Sequence, residues 1–296
     1  MKRILCITTL VAAAHLGACA AGNDADGLDA ASERGGAVAI PAGGRIERDV
    51  AYGSDPAQRA DVYLPKQGAA AAPVILMVHG GAWMFGDKGA SGVVANKVGH
   101  WVPKGYVLVS VNYRMARPPS PLAQADDVAR ALAFVQAKAT AWGGDPTRVL
   151  LMGHSSGAHL AALLAADPTI ATRQGAKPWL GTVSLDSAAL NVVDVMEGRH
   201  LPFYDRVFGR DRARWAEVSP LQRLSAAPRP MLLVCSSQRS DSCPAARAFA
   251  AKATALGGRA TVLPQDLKHG EINKELGRPG DYTAEVERFM SSLGLP

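Results

Sequence analysis

The sequence predicts an α/β fold in which a central, mostly parallel sheet carries helices on both faces and a short cap insertion. Three observations lead there. Short runs rich in Val, Ile and Leu recur at 74–78, 106–111, 149–152, 182–185 and 231–234; they are continuous rather than alternating, as strands buried on both faces read. Longer Ala- and Leu-rich stretches at helical spacing occupy 122–142, 158–166, 245–256 and 282–293. Strand–helix alternation of this kind gives parallel pairing through right-handed crossovers.

Taken in order, the chain opens on a targeting segment. Lys2 and Arg3 precede an apolar run over residues 4–14, too short to cross a bilayer as a mature helix and right for the core of a signal sequence. Leu16-Gly17-Ala18-Cys19 follows and resembles the bacterial lipobox, which implies cleavage after residue 18 and a lipid on Cys19. An ordinary signal cleaved near Ala18 or Ala21 is the alternative, with a soluble periplasmic or secreted product. Ala20 after the lipidated Cys implies the outer membrane, facing the periplasm or the exterior. Residues 19–44 are rich in Ala, Gly and Asp without apolar periodicity and read as a flexible tether. A domain over 45–296 then begins with an antiparallel edge hairpin at 45–52 and 59–64. Its strand–helix alternation is broken at 187–228, a Pro-, Gly- and Trp-containing stretch expected to insert over the sheet edge. Phe203, Tyr204, Phe208 and Trp215 within it either cap a pocket or fill core.

Composition narrows the function classes. The chain has 296 residues, 48% hydrophobic and 20% charged, with 4 Cys and a formal charge of +6. Those values exclude a disordered chain and a disulfide-held miniprotein. Loss of Lys2 and Arg3 with the signal leaves +4, spread rather than clustered, so no nucleic-acid partner is expected. Neither a His/Cys metal motif nor a phosphate-binding Gly-rich loop is present, and no metal or cofactor is called for. Cys235 and Cys243 remain after Cys6 and Cys19 are accounted for; in an oxidising compartment they form a disulfide, and otherwise two buried thiols.

Two motifs carry the chemistry. Gly153-His154-Ser155-Ser156-Gly157 stands between an apolar strand and an Ala-rich helix, the setting of a nucleophile elbow that lifts Ser155 to the carboxyl end of the sheet. His79-Gly80-Gly81-Ala82-Trp83 follows the strand at 74–78 directly. A serine nucleophile generates an oxyanion, which needs backbone N–H donors already aimed at it. Gly81 and Ala82, with Ser156 after the nucleophile, supply them, and Gly80 lets the loop approach. Ser156 also opens a helix whose N-terminal partial charge favours an anion.

These motifs, in this order, resemble the α/β-hydrolase superfamily, and within it the HGG-type esterase/lipase branch of feruloyl-esterase-like and kynurenine-formamidase-like enzymes. The resemblance covers about 45–295 and extends to Val111-Asn112-Tyr113-Arg114, Asp126-Asp127-Val128 and Gly143-Gly144-Asp145-Pro146. It implies that Arg114 and Asp127 form a structural ion pair bracing the oxyanion loop. Ala82 departs from relatives that carry a third Gly.

The chain order Ser, acid, His in that superfamily makes His269, the one His beyond residue 200, the general base. Asp241, the sole carboxylate between the strand at 231–234 and the next helix, is the expected acid, and Asp186 at the end of the preceding strand is the second candidate. A Cys235–Cys243 bridge would clamp the Asp241 loop. His154 packs beside the nucleophile or lines the pocket, His79 is structural, and Trp83 is expected at the substrate. The implied activity is serine hydrolysis of a small carboxylic ester; formamide or amide cleavage on the same groups, or a catalytically inactive binding protein of the cell envelope, are the alternatives. Metabolic labelling with a fatty acid is expected to mark the wild-type chain and to leave Cys19→Ala unlabelled.

Overall fold

The computed structural model describes residues 38–66, 70–115 and 120–296. The expected signal segment 1–18, Cys19 and the tether as far as residue 37 lie outside the described residues.

Eight strands form one sheet among the described residues: β1 (Arg45–Ala51), β2 (Arg59–Leu64), β3 (Ala72–Val78), β4 (Val107–Val111), β5 (Gly144–His154), β6 (Gly181–Leu185), β7 (Met231–Ser236) and β8 (Ala260–Gln265). They lie in the order β1-β2-β4-β3-β5-β6-β7-β8. The pairs β1–β2 and β2–β4 are antiparallel, and every other pair is parallel. Helices α1 (Ser91–Trp101), α2 (Pro121–Lys138), α3 (Ser156–Ala166) and α4 (Thr169–Arg173) come before the insertion. The insertion itself is four short helices, α5 (Val192–Glu197), α6 (Pro202–Phe208), α7 (Arg212–Glu217) and α8 (Pro220–Arg223). Then come α9 (Ser242–Ala255), α10 (His269–Lys274) and α11 (Asp281–Ser291).

The largest boundary differences from the sequence expectation fall around residue 140. The helix expected over 122–142 ends at Lys138 and tightens into a 3-10 turn, because Gly143 takes a left-handed φ of 77° and stops it. β5 starts at Gly144 rather than near residue 149, since Ala72 of β3 finds a partner there.

Alternation along the buried strands separates two cores. Val74, Leu76 and Val78 of β3 join one, with Leu132 of α2, Leu160 of α3 and Phe249 of α9. Ile75 and Met77 join the other, with Val98 and Trp101 of α1 and Phe289 of α11. Each such side chain contributes about 1.5–3 kcal/mol from burial before chain entropy is subtracted.

The Arg114–Asp127 pair is present and is more than an ion pair. The wholly buried Asp127 carboxylate accepts from the guanidinium at 2.6 and 2.8 Å, from Arg114 N at 2.9 Å and from Gln58 Nε2 at 2.7 Å. Burying a charge is tolerable only with its acceptor sites filled in this way. One turn back on α2, Gln124 Nε2 donates to Trp83 O and Arg114 O, which ties the loop after β3 to the same brace.

Lys97 lies on the buried face of α1 among Val93, Val94, Val98 and Trp101. Its ammonium donates to Asn273 O at 2.6 Å and Asn273 Oδ1 at 2.9 Å, clasping the end of α10. Burial pushes its pKa down to about 7. An unfolded Lys keeps its proton to about pH 10.4, so between those values the unfolded chain binds more protons and stability rises with pH. Urea unfolding is expected to show a gain on the order of 3 kcal/mol from pH 7 to pH 9.5, and a flat response over that range in Lys97→Met.

Candidate active site

Between the end of β5 at His154 and the start of α3 at Ser156, one residue makes the turn: Ser155. Its backbone sits at φ 54°, ψ −118°, a conformation that costs a non-glycine residue about 1–3 kcal/mol. The turn is held from both sides. Ser155 N donates to Leu185 O of β6 at 2.9 Å. A Cβ on Gly157 would meet Val78 O at 2.3 Å and His79 O at 2.4 Å, so only glycine lets α3 approach the end of β3.

His269 opens α10, just beyond β8. Its Nε2 is 2.9 Å from Ser155 Oγ, and its Nδ1 is 2.5 Å from Asp186 Oδ2. With the proton on Nδ1 and donated to the carboxylate, Nε2 is left to accept from the serine hydroxyl. Asp186 follows β6 directly and takes a φ of 55°. Burial by itself raises its pKa. The hydrogen bond and charge of His269, the Arg239 guanidinium and the Ser242 hydroxyl outweigh that and hold the carboxyl well below the usual range.

Asp241 does not occupy the acid position. Its half-exposed carboxylate accepts from Arg239 Nη2 at 3.0 Å instead. The loop after β7 turns so that other groups face the base. Ser236 N at 2.7 Å and Ser242 Oγ donate to Asp186 Oδ1, and Arg239 Nη1 donates to Asp186 Oδ2 at 2.9 Å. The second candidate of the sequence reading therefore takes the place of the first. Arg239, which that reading passed over, is drawn into the site. Cys235 and Cys243 are disulfide-bonded across this loop, with Cα atoms 5.1 Å apart.

The loop after β3 faces the nucleophile from the other side. A Cβ on Gly80 would lie 2.9 Å from Ser155 Cβ, so this residue is packed directly against the elbow. Gly81, Ala82 and Trp83 all take positive φ, at 127°, 51° and 61°. A tight turn results, in which Gly81 O accepts from Met84 N and Phe85 N. No backbone carbonyl among the described residues takes the N–H of Gly81 or Ala82. His79 is buried, with Nδ1 2.7 Å from Gly80 O and its ring stacked on Tyr113 at 4.6 Å.

Trp83 is placed differently from expectation, and of the two alternatives for His154 the structure shows packing. The positive-φ turn carries the indole inward, where it is 3% exposed and donates to His159 Nδ1 at 3.1 Å. Phe208 and Tyr204 of α6 close over it, at 5.0 and 6.1 Å between ring centres. Trp83 is thus the seat of the cap rather than an open pocket wall. The insertion is a cap at α6 and part of the core at Phe208, which is itself buried. His154 is buried behind the base, its Nε2 3.0 Å from His269 O and its ring 4.6 Å from the His269 ring. Burial, with the neighbouring His269, holds it well below the usual histidine range, so it is neutral and donates to that carbonyl.

Known proteins resemble this chain in sequence and in fold. Residues 60–187 match the BD-FAE family model, a span that runs from the second residue of β2 to just past Asp186. The chain has the α/β-hydrolase fold. Esterase LipQ of Mycobacterium tuberculosis is 31% identical over 242 residues, covering 76% of this α/β-hydrolase and 55% of LipQ. Isoprenylcysteine alpha-carbonyl methylesterase ICME of Arabidopsis thaliana is 32% identical over 118 residues, 40% of the chain and 27% of that protein. The chain thus spans about a quarter of the plant relatives it matches and about half of the mycobacterial ones. In fold, the crystal structure of esterase B from Lactobacillus rhamnosis superposes with a TM-score of 0.71 at 21% identity, covering 86% of this chain and 87% of that one. Among the described residues no group of His, Cys, Asp and Glu is arranged to hold a metal.

Substituting the two aspartates separately distinguishes their roles. Asp186→Asn is expected to lower kcat on an activated ester by about 10³–10⁴-fold, and Asp241→Asn by about tenfold or less, measured with p-nitrophenyl butyrate.

Proposed function

We propose that this α/β-hydrolase is a serine esterase acting on small carboxylic esters. One observation carries the reading: the Ser155 hydroxyl, the His269 imidazole and the buried Asp186 carboxylate form a continuous hydrogen-bonded chain at a strained elbow. The esterase names of the relatives support it.

In this mechanism Ser155 Oγ attacks the ester carbonyl carbon while His269 Nε2 takes its proton. Asp186, already ionised, holds the Nδ1–H and stabilises the imidazolium as it forms. Negative charge moves to the carbonyl oxygen, which the N–H groups of Gly81, Ala82 and Ser156 receive. Collapse breaks the C–O bond to the alcohol, and the imidazolium returns the proton to the departing alkoxide. Water then attacks the acyl-serine by the same route, with His269 as base, and releases the carboxylic acid and free Ser155.

The same reading places the enzyme outside the cytoplasm, anchored through lipid on Cys19. The lipobox-like segment and the Cys235–Cys243 disulfide support an oxidising compartment. As a test of the chemistry, a fluorophosphonate probe is expected to modify Ser155 in the folded protein, and Ser155→Ala to lose at least about 10⁴ in ester turnover. An unlabelled wild-type protein without turnover on any ester of an acyl-length panel would overturn the reading in favour of a binding protein.

A further inference from the structure

Four donors surround the Asp186 carboxylate, and three of them come from one short loop. Ser236 N–H, Arg239 Nη1 and Ser242 Oγ all lie between Cys235 and Cys243, the two ends that the disulfide joins. The two serine donors are neutral and would hold a carboxylate in place by themselves. Arg239 adds a charge, and its placement is unusual. Nη1 lies 2.9 Å from Asp186 Oδ2 and also 2.9 Å from His269 Nδ1. Nη2 lies 3.0 Å from Asp241 Oδ2, so the exposed aspartate tethers the guanidinium in that position.

We propose that Arg239, held by Asp241, is a positioning residue that sets the pH range over which His269 acts as a base. The proposal rests on the esterase reading. A guanidinium is always charged and can only donate. Bound to Asp186 Oδ2, it fixes the carboxylate oxygen that His269 faces. A cation at this distance opposes protonation of the imidazole, and by partly neutralising Asp186 it weakens the pull of that carboxylate for a second proton on the ring. Both effects act in one direction: the base stays free to accept the serine proton at lower pH.

The other charged or titratable groups near the base do not supply this. His154, from the end of β5, is neutral through burial. Lys97 on α1 reaches only the far end of α10, at Asn273. Tyr282 of α11 donates to Ile272 O and is held protonated by burial and by Asp186. Glu271 on α10 turns back to accept from Lys268 N. Tyr204 of the cap interacts with Arg239 rather than with the base.

The test is the pH profile of kcat/KM on p-nitrophenyl butyrate for wild type, Arg239→Gln, Arg239→Lys and Asp241→Asn. Arg239→Gln is expected to move the acid limb up by half a pH unit or more and to lower kcat several-fold, with KM within twofold. Arg239→Lys restores most of the limb, because it restores the charge. Asp241→Asn, which loosens the tether without touching Asp186, moves the limb the same way by a smaller amount and keeps the proposal testable if Arg239→Gln does not fold. Unchanged acid limbs in the folded variants, or a rise in KM at constant kcat that marks Arg239 as a substrate contact, would overturn it. A wild-type protein that neither turns over ester nor reacts with fluorophosphonate at Ser155 overturns the esterase reading itself, a result distinct from either.

Discussion

A single buried carboxylate organises the candidate active site of this molecule. Asp186 has no exposure to solvent, and an ionised group in that position is tolerable only if protein donors replace the water it has lost. Four donors do so: Ser236 at the end of β7, Arg239 in the loop that follows, Ser242 at the start of α9 and His269 at the start of α10. Satisfying that charge therefore draws together the ends of β6, β7 and β8. The parallel sheet makes this possible, because neighbouring strands that run the same way deliver their carboxyl ends to one edge.

The opposite flank is built on close backbone approach instead of charge. Gly157 admits the end of β3, Gly80 lies against the nucleophile, and three successive positive-φ residues fold the next turn back on itself. Conformations of this kind persist only where the surroundings over-determine them. Here Gln124 on α2 holds the carbonyl of Trp83, and Asp127 one turn later is locked to Arg114. The strain sits at the site, and the packing and hydrogen bonds that sustain it sit one layer below.

The sequence makes the elbow and the oxyanion loop legible, since both follow strongly apolar strands and both depend on glycines at fixed offsets. The parallel core is legible for the same reason, because doubly buried strands leave continuous runs. The acid is not. Asp186 and Asp241 each follow an apolar strand by a short interval, and nothing local says which one gathers donors. That choice depends on where Arg239, Ser236 and Ser242 point, which is decided by the loop the disulfide closes. Trp83 misleads for a related reason: its position beside the oxyanion glycines suggests the substrate, but its direction is set by a backbone φ of 61° that no composition reveals. Lys97, by contrast, was available to be found. It stands three and four residues from Val94, Val93 and Trp101, in the middle of an apolar helical face.

That lysine bears on how the site endures heat. The base follows β8, one of the two edge strands of the sheet and itself only partly buried. Edge strands open at a lower free energy than the interior, so a base anchored there alone would drift before the fold gave way. In this chain α10 is also fastened from the packed side. Lys97 and Asn96 of α1 take the carbonyls of Asn273 and Lys274, and Tyr282 of α11 takes that of Ile272. The placement of His269 is thereby transferred from strand pairing at an exposed border to two helices in the second core, and fraying of the sheet margin need not displace the imidazole.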